Sequence, residues 1–272
     1  MKHGIHILTI ILLVSFVGLM TTTCKGSLKD KYSRGDLDSK TPETEIQSSE
    51  PTESDQSSSE LTPVEATTKE PLPYIQSYMD TPADDFYHLA EKPEVIIHTD
   101  LGDMRIRFFK NIAPNHMKTF VDLAKKGFFD GVIFHRVIPG FMIQGGDPNT
   151  KGHEDNEGTH IRTYGTGNPG FNVPMEWPYD ETHPYPPYQP GIVAAARSSD
   201  PDSAGSQFFI MTSNRPNFGK VMNGQDLRYT IYGAVVEGID VAYAIEKLPR
   251  RQQPPAKDCP FSRVEMTVEV VE

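Results

Sequence analysis

Residues 41–70 carry eight acidic side chains against one basic, many Ser and Thr, and no aromatic at all. Such a stretch cannot bury enough apolar area to offset the entropy of ordering it. Charge and proline keep it extended, so residues 25–84 read as a disordered linker, and the fold must be built from the residues C-terminal to it. Two roles suit such a linker: a tether that holds the next domain off a surface, or a spacer with no partner of its own.

Upstream of the linker, Lys2 and His3 precede an almost wholly apolar run over residues 5–20. That run is shorter than the roughly 20 residues a membrane-spanning helix needs, which favours an export signal. Cys24 follows, in the place where it resembles the lipid-modified cysteine of a bacterial lipoprotein. The Thr21-Thr22-Thr23 that precedes it departs from the usual large aliphatic and small residues there. A plain secretory signal and an uncleaved anchor therefore stay open. The expectation is a signal peptide over 1–23, lipid attachment at Cys24 with linker to residue 85, and a folded domain over 86–272. This describes an exported, membrane-anchored protein facing the periplasm or cell exterior.

The net charge of −11 argues against a general nucleic-acid binder, which needs a basic stripe to neutralise phosphates. Two cysteines, Cys24 and Cys259, make neither a disulfide framework nor a metal cluster, and Cys259 reads as a free, buried thiol. Hydrophobic alternation predicts strands near 94–98, 104–109, 132–138, 191–196, 207–212, 229–236 and 264–271. A helix opens at Ala113-Pro114-Asn115 with Met117, Phe120, Val121 and Ala124 on one face, and a shorter one covers 241–248. Many short strands with two helices point to a barrel or sandwich.

The stretch FHRVIPGFMIQGGD, residues 134–147, sets an arginine among aromatic and thioether side chains, with a Pro-Gly break and a Gly-Gly-Asp stop. Taken alone it is either a core hairpin or an apolar pocket with a cation in it. Phe134-His135-Arg136-Val137-Ile138-Pro139-Gly140-Phe141-Met142-Ile143-Gln144-Gly145-Gly146-Asp147 closely resembles the signature of the cyclophilin-type peptidyl-prolyl isomerases. Gly205-Ser206-Gln207-Phe208-Phe209-Ile210 resembles their second signature, in the right order and at a believable spacing. The resemblance covers roughly residues 94–271. It implies a mainly β fold, a closed eight-stranded antiparallel β-barrel capped by two α-helices, with the active groove on its outside.

The resemblance also implies a function: isomerisation of Xaa–Pro bonds in proline-containing polypeptides, without metal or cofactor, by a monomer. Arg136 is then the catalytic donor. Phe141, Met142 and Phe209 line the proline slot, and Gln144 bonds substrate backbone and holds the arginine. Gln207, in the second signature, counts among the substrate-binding positions. Ala196 with Arg197 falls where backbone groups meet the bound peptide, and His135 is either a structural or a catalytic neighbour. Phe218 takes an apolar pocket position and Tyr229 a rim position that is His in many relatives.

The chain departs from the family pattern at two places. Asn217 stands where a tryptophan is common, which implies weaker binding of cyclosporin-type macrocycles. Residues 149–190 form a long insertion rich in proline and aromatics. It reads as an ordered loop packed on the barrel, with an extra wall of the groove as the alternative. Its His153, Glu154, Asp155, Glu157 and His160 match no calcium or zinc spacing. A second function also stays open, a module that grips proline peptides as a holdase or docking site with little catalysis.

Overall fold

A computed structural model describes residues 61–63 and 69–272. The expected signal peptide, Cys24 and most of the expected linker lie outside them. The expectation of an unordered linker reaching residue 85 is corrected by α1 (Pro73–Met79), which opens on a proline at its first turn. Proline is pre-set for that position because the first helical N–H has no partner to lose. Ile75 in this helix is fully buried, and Tyr78 meets Phe109 edge-on at 5.3 Å. Leu61 and Leu72 pack against the same core.

Three helices are therefore present among the described residues, rather than two. The second, α2 (Pro114–Lys125), buries His116, Phe120, Val121, Leu123 and Ala124. It keeps Phe120, Val121 and Ala124 of the predicted face, adds His116 and Leu123, and leaves Met117 half-buried against the core. The insertion anchors the start of this helix. Glu176, from the insertion, accepts the N–H groups of Asn115 (3.0 Å) and His116 (2.9 Å) and binds His116 Nδ1 at 2.6 Å. A carboxylate here satisfies free amides at the positive end of the helix. The third helix, α3 (Ile239–Glu246), buries Ile239, Val241, Ala242 and Ile245.

Among the described residues nine antiparallel strands form one curled sheet. In chain order they are β1 (Leu89–Thr99), β2 (Gly102–Phe109), β3 (Val132–Ile133), β4 (Arg136–Ile138), β5 (Met142–Gly145), β6 (Ile192–Ala195), β7 (Phe208–Met211), β10 (Ile231–Glu237) and β11 (Glu265–Val271). Between them β8 (Val221–Met222) and β9 (Gln225–Asp226) make a separate small hairpin. In space the order is β3-β11-β1-β2-β10-β6-β7-β5-β4.

The count differs from the expected eight because the strand anticipated over 132–138 is cut at Phe134–His135. The Phe134 N–H donates to the Val264 carbonyl (3.2 Å), and the His135 N–H to the Gln144 carbonyl (3.0 Å). The chain thus leaves β11 and joins β5 within two residues, and the first and last strands of the spatial order are neighbours in sequence. Phe134 and Val137, both fully buried, face the core across this junction.

Candidate functional site

The β4–β5 hairpin builds one side of the site. Arg136 lies directly opposite Gln144, Val137 opposite Ile143 and Ile138 opposite Met142. Alternation sends Val137 and Ile143 fully into the core and leaves Arg136 exposed. Between the strands Phe141 N–H closes a turn on the Ile138 carbonyl at 3.0 Å, with Gly140 at φ 65°. That left-handed conformation is one a glycine adopts without steric cost.

Because Arg136 and Gln144 are a cross-strand pair, their side chains meet: Arg136 Nη1 donates to Gln144 Oε1 at 3.2 Å. Gln144 Nε2 donates in turn to Gln207 Oε1 (3.0 Å), and Gln207 Nε2 to the Gly167 carbonyl (2.9 Å). A carbonyl can only accept, so the amide polarity of both glutamines is set from the loop end of this relay. The oxygen of Gln144 is thereby turned to the guanidinium.

The loop that supplies Gly167 is held by Asp147, the last residue of the hairpin stretch. Fully buried, Asp147 accepts the N–H groups of Asn149 (2.8 Å) and Gly165 (2.5 Å). A Cβ on Gly167 would stand 1.9 Å from an Asp147 oxygen, so that approach requires glycine. Asn149 Nδ2 adds bonds to the Thr163 carbonyl and Thr166 Oγ1.

Opposite the hairpin, aromatic rings form a layered wall. Phe218 stacks on Tyr229 with centroids 5.5 Å apart, Phe209 meets Tyr229 edge-on at 5.4 Å, and Phe141 meets Phe218 edge-on at 5.0 Å. The Arg197 guanidinium covers the Tyr229 ring at 4.7 Å. Its Nε and Nη2 donate to the Arg228 carbonyl, Nη2 also to that of Asp226, and Nη1 to that of Ser198. Only 4 % of this side chain is exposed. The Arg197 side chain, expected beside Ala196 where backbone groups meet the peptide, is thus bonded to carbonyls of the wall. The Ala196 N–H is committed to the Gln207 carbonyl (2.9 Å), which leaves that residue's carbonyl and methyl to meet a ligand.

His135, Arg136, Phe141, Met142, Gln144, Ala196, Arg197, Phe209, Phe218 and Tyr229 all line one cavity of about 340 Å³. Gln207 lies in an adjoining hollow of about 440 Å³ that shares Gln144, Ala196 and Arg197 with it. The structure thus brings the predicted cluster together, with Gln207 hydrogen-bonded to Gln144. Asn217 is exposed and outside the lining. His135 is 3 % exposed. Burial holds its pKa down to about 4, Asp147 opposing and Arg136 reinforcing the shift, so the ring is neutral near pH 7.

Four lining residues were not anticipated: Tyr164, Gly165, Ala256 and Lys257. The first two belong to the insertion, which is both of the things foreseen for it. It packs on the domain through Ile161, Val173 and Tyr188, all buried, and it walls the cavity. Among the described residues no group of His, Cys, Asp or Glu is placed to hold a metal. Cys259 is free and buried as expected, and burial pushes its thiol up to about 11.

Comparison with known proteins adds four findings. A family model described as cyclophilin type peptidyl-prolyl cis-trans isomerase/CLD matches residues 94–266. A probable peptidyl-prolyl cis-trans isomerase of Brucella abortus is 38 % identical over 161 residues, 58 % of this chain and 74 % of that protein. A peptidyl-prolyl cis-trans isomerase-like 1 of Rhizopus delemar is 35 % identical over 153 residues, 56 % of this chain and 79 % of its own. Among solved structures, a Cryptosporidium parvum cyclophilin type peptidyl-prolyl cis-trans isomerase in the presence of the dipeptide Ala-Pro superposes with a TM-score of 0.52. It is 27 % identical and covers 66 % of this chain and 99 % of its own.

Proposed function

Because this chain belongs to the cyclophilin-type peptidyl-prolyl cis-trans isomerases, we propose that Arg136 is the group that accelerates Xaa–Pro rotation in its groove. Rotation breaks amide resonance, and the barrier for a peptide bond is about 18–20 kcal/mol. In the twisted state the prolyl nitrogen becomes pyramidal and regains a lone pair. A donor fixed beside that nitrogen stabilises the twisted state more than the planar one, which is what lowers a barrier. Arginine suits the task because it stays charged and its donors form a rigid fork.

The relay from the Gly167 carbonyl through Gln207 and Gln144 to Arg136 carries this reading. It directs a neutral acceptor at one nitrogen of the fork, fixing the guanidinium without neutralising it. Met142 and Phe209, both nearly buried, with Phe141 and Phe218 beside them, offer a dry slot for the proline ring. Proline-containing polypeptides are the substrates. Passage of the chain from β11 to β5 through Phe134–His135 supports a sheet closed into a barrel of eight strands, with β3 and β4 counted as one.

The site of action is proposed to be outside the cytoplasm, on exported proteins, with the domain tethered as a monomer to a membrane by lipid on Cys24. The apolar run 5–20, the cysteine just past it and the acidic linker support this. Mass spectrometry of the mature N-terminus tests it. A lipid-modified Cys24 as first residue is expected, and an unmodified residue other than Cys24 rules the anchor out.

A further inference from the structure

The groove is electropositive in an acidic protein. Among the described residues its lining carries Arg136, Arg197 and Lys257 and no carboxylate, although the whole chain has a net charge of −11. The three cations are not equivalent. Arg197 is buried in the wall and has Asp226 at 3.5 Å. Arg136 is exposed and bonded to the neutral Gln144, and Lys257 is exposed, neither forming an ion pair among the described residues.

Lys257 is held at the rim by its neighbours on both sides. The Asp258 carbonyl accepts the N–H of Val137, next to Arg136, at 2.8 Å. Asp258 N–H donates to the Arg251 carbonyl, Arg251 N–H to that of Cys259 and Cys259 N–H to that of Ala256, each within 3.0 Å. Cys259 is fully buried, and Arg251 Nη2 reaches the Asn156 carbonyl at 2.7 Å. The loop is thus fastened to the strand that bears Arg136, with a flexible cation at its tip.

We propose that this groove selects prolines flanked by an acidic side chain, with Lys257 as the selecting cation. The inference rests on the isomerase reading above and names the substrate class of that site. Two unpaired cations in a concave, partly apolar site attract an anion more strongly than the same charges on a flat surface. Solvent still screens an exposed pair, so the preference contributed by Lys257 is about fivefold.

The test is kcat/KM of the full chain on Xaa-Pro tetrapeptides that carry Glu, Gln or Lys at one position at a time, on either side of the proline. At one position Glu is expected to exceed Gln about fivefold and Lys to fall below Gln. Lys257→Glu should invert that order, Lys257→Arg should keep it, and 1 M salt, where the screening length is about 3 Å, should erase it. Equal rates for Glu and Gln at every position, or a Glu preference that survives Lys257→Glu, would overturn the proposal. Failure to turn over any of the peptides would instead remove the isomerase reading, so the two are told apart.

Discussion

Replacing Arg197 by methionine keeps much of the apolar stem and removes the guanidinium that braces the aromatic wall. The side chain makes four hydrogen bonds, to the carbonyls of Ser198, Asp226 and Arg228, and lies over Tyr229. A hydrogen bond to a charged group contributes about 1.5–3 kcal/mol. Four of them do not simply add, because one desolvated guanidinium serves them all and water can reach the emptied site from the cavity. The loss is therefore about 2–4 kcal/mol. With a urea slope of about 2 kcal/mol/M, the unfolding midpoint should fall by about 1–2 M. Lysine, with one charged head in place of a fork, should recover part of this. Because Tyr229 and Phe218 stack beneath the guanidinium, peptide KM should rise several-fold while kcat falls less. A methionine variant with unchanged midpoint and unchanged KM would refute the bracing role.

Two further outcomes concern the hairpin. Gln207→Leu cuts the relay at its middle, and a loss of about three- to tenfold in kcat with little change in KM is expected in peptide isomerisation assays, since misorientation of a catalytic group acts on the reacting state. Wild-type kcat would count against the relay. His135 is neutral when folded, at a pKa of about 4, but titrates near 6.5 when unfolded. Between those values the unfolded chain binds the extra proton. Stability should then be constant through this group above pH 6.5 and decline as pH falls toward 4, by up to about 3 kcal/mol. Urea unfolding of His135→Gln across this window should show a shallower slope than wild type, and an identical slope would contradict the assignment.

Much of the site was legible because it is local. In residues 134–147 the period-two alternation and the Pro139-Gly140 turn place Arg136 and Gln144 side by side on one face, whatever the rest of the chain does. What escaped is tertiary. Tyr164 and Gly165 reach the groove from an insertion whose proline and aromatic content does not single them out, Ala256 and Lys257 come from a second loop, and the hold of the Arg197 side chain depends on carbonyl partners at Ser198, Asp226 and Arg228. The α1 helix was hidden by its length and its acidic surroundings. The clue available was the return of aromatics at Tyr74 and Tyr78, four residues apart behind a helix-starting Pro73. The break at Phe134–His135 has no sequence signature, because both residues carry strand-like side chains and only the change of hydrogen-bonding partner divides them.

The central claim is that the guanidinium of Arg136 stabilises the twisted Xaa–Pro bond. Its most direct measurement is the kcat of wild type, Arg136→Ala and Arg136→Lys on one Xaa-Pro peptide, alongside the affinity of each for a proline peptide. Loss of a preorganised donor of this kind costs about 10²–10³ in kcat. The account predicts that loss for alanine and a smaller but clear one for lysine, with peptide affinity changed little. An alanine variant within about twofold of wild-type kcat would contradict it, leaving a groove that binds proline peptides without using this arginine for chemistry.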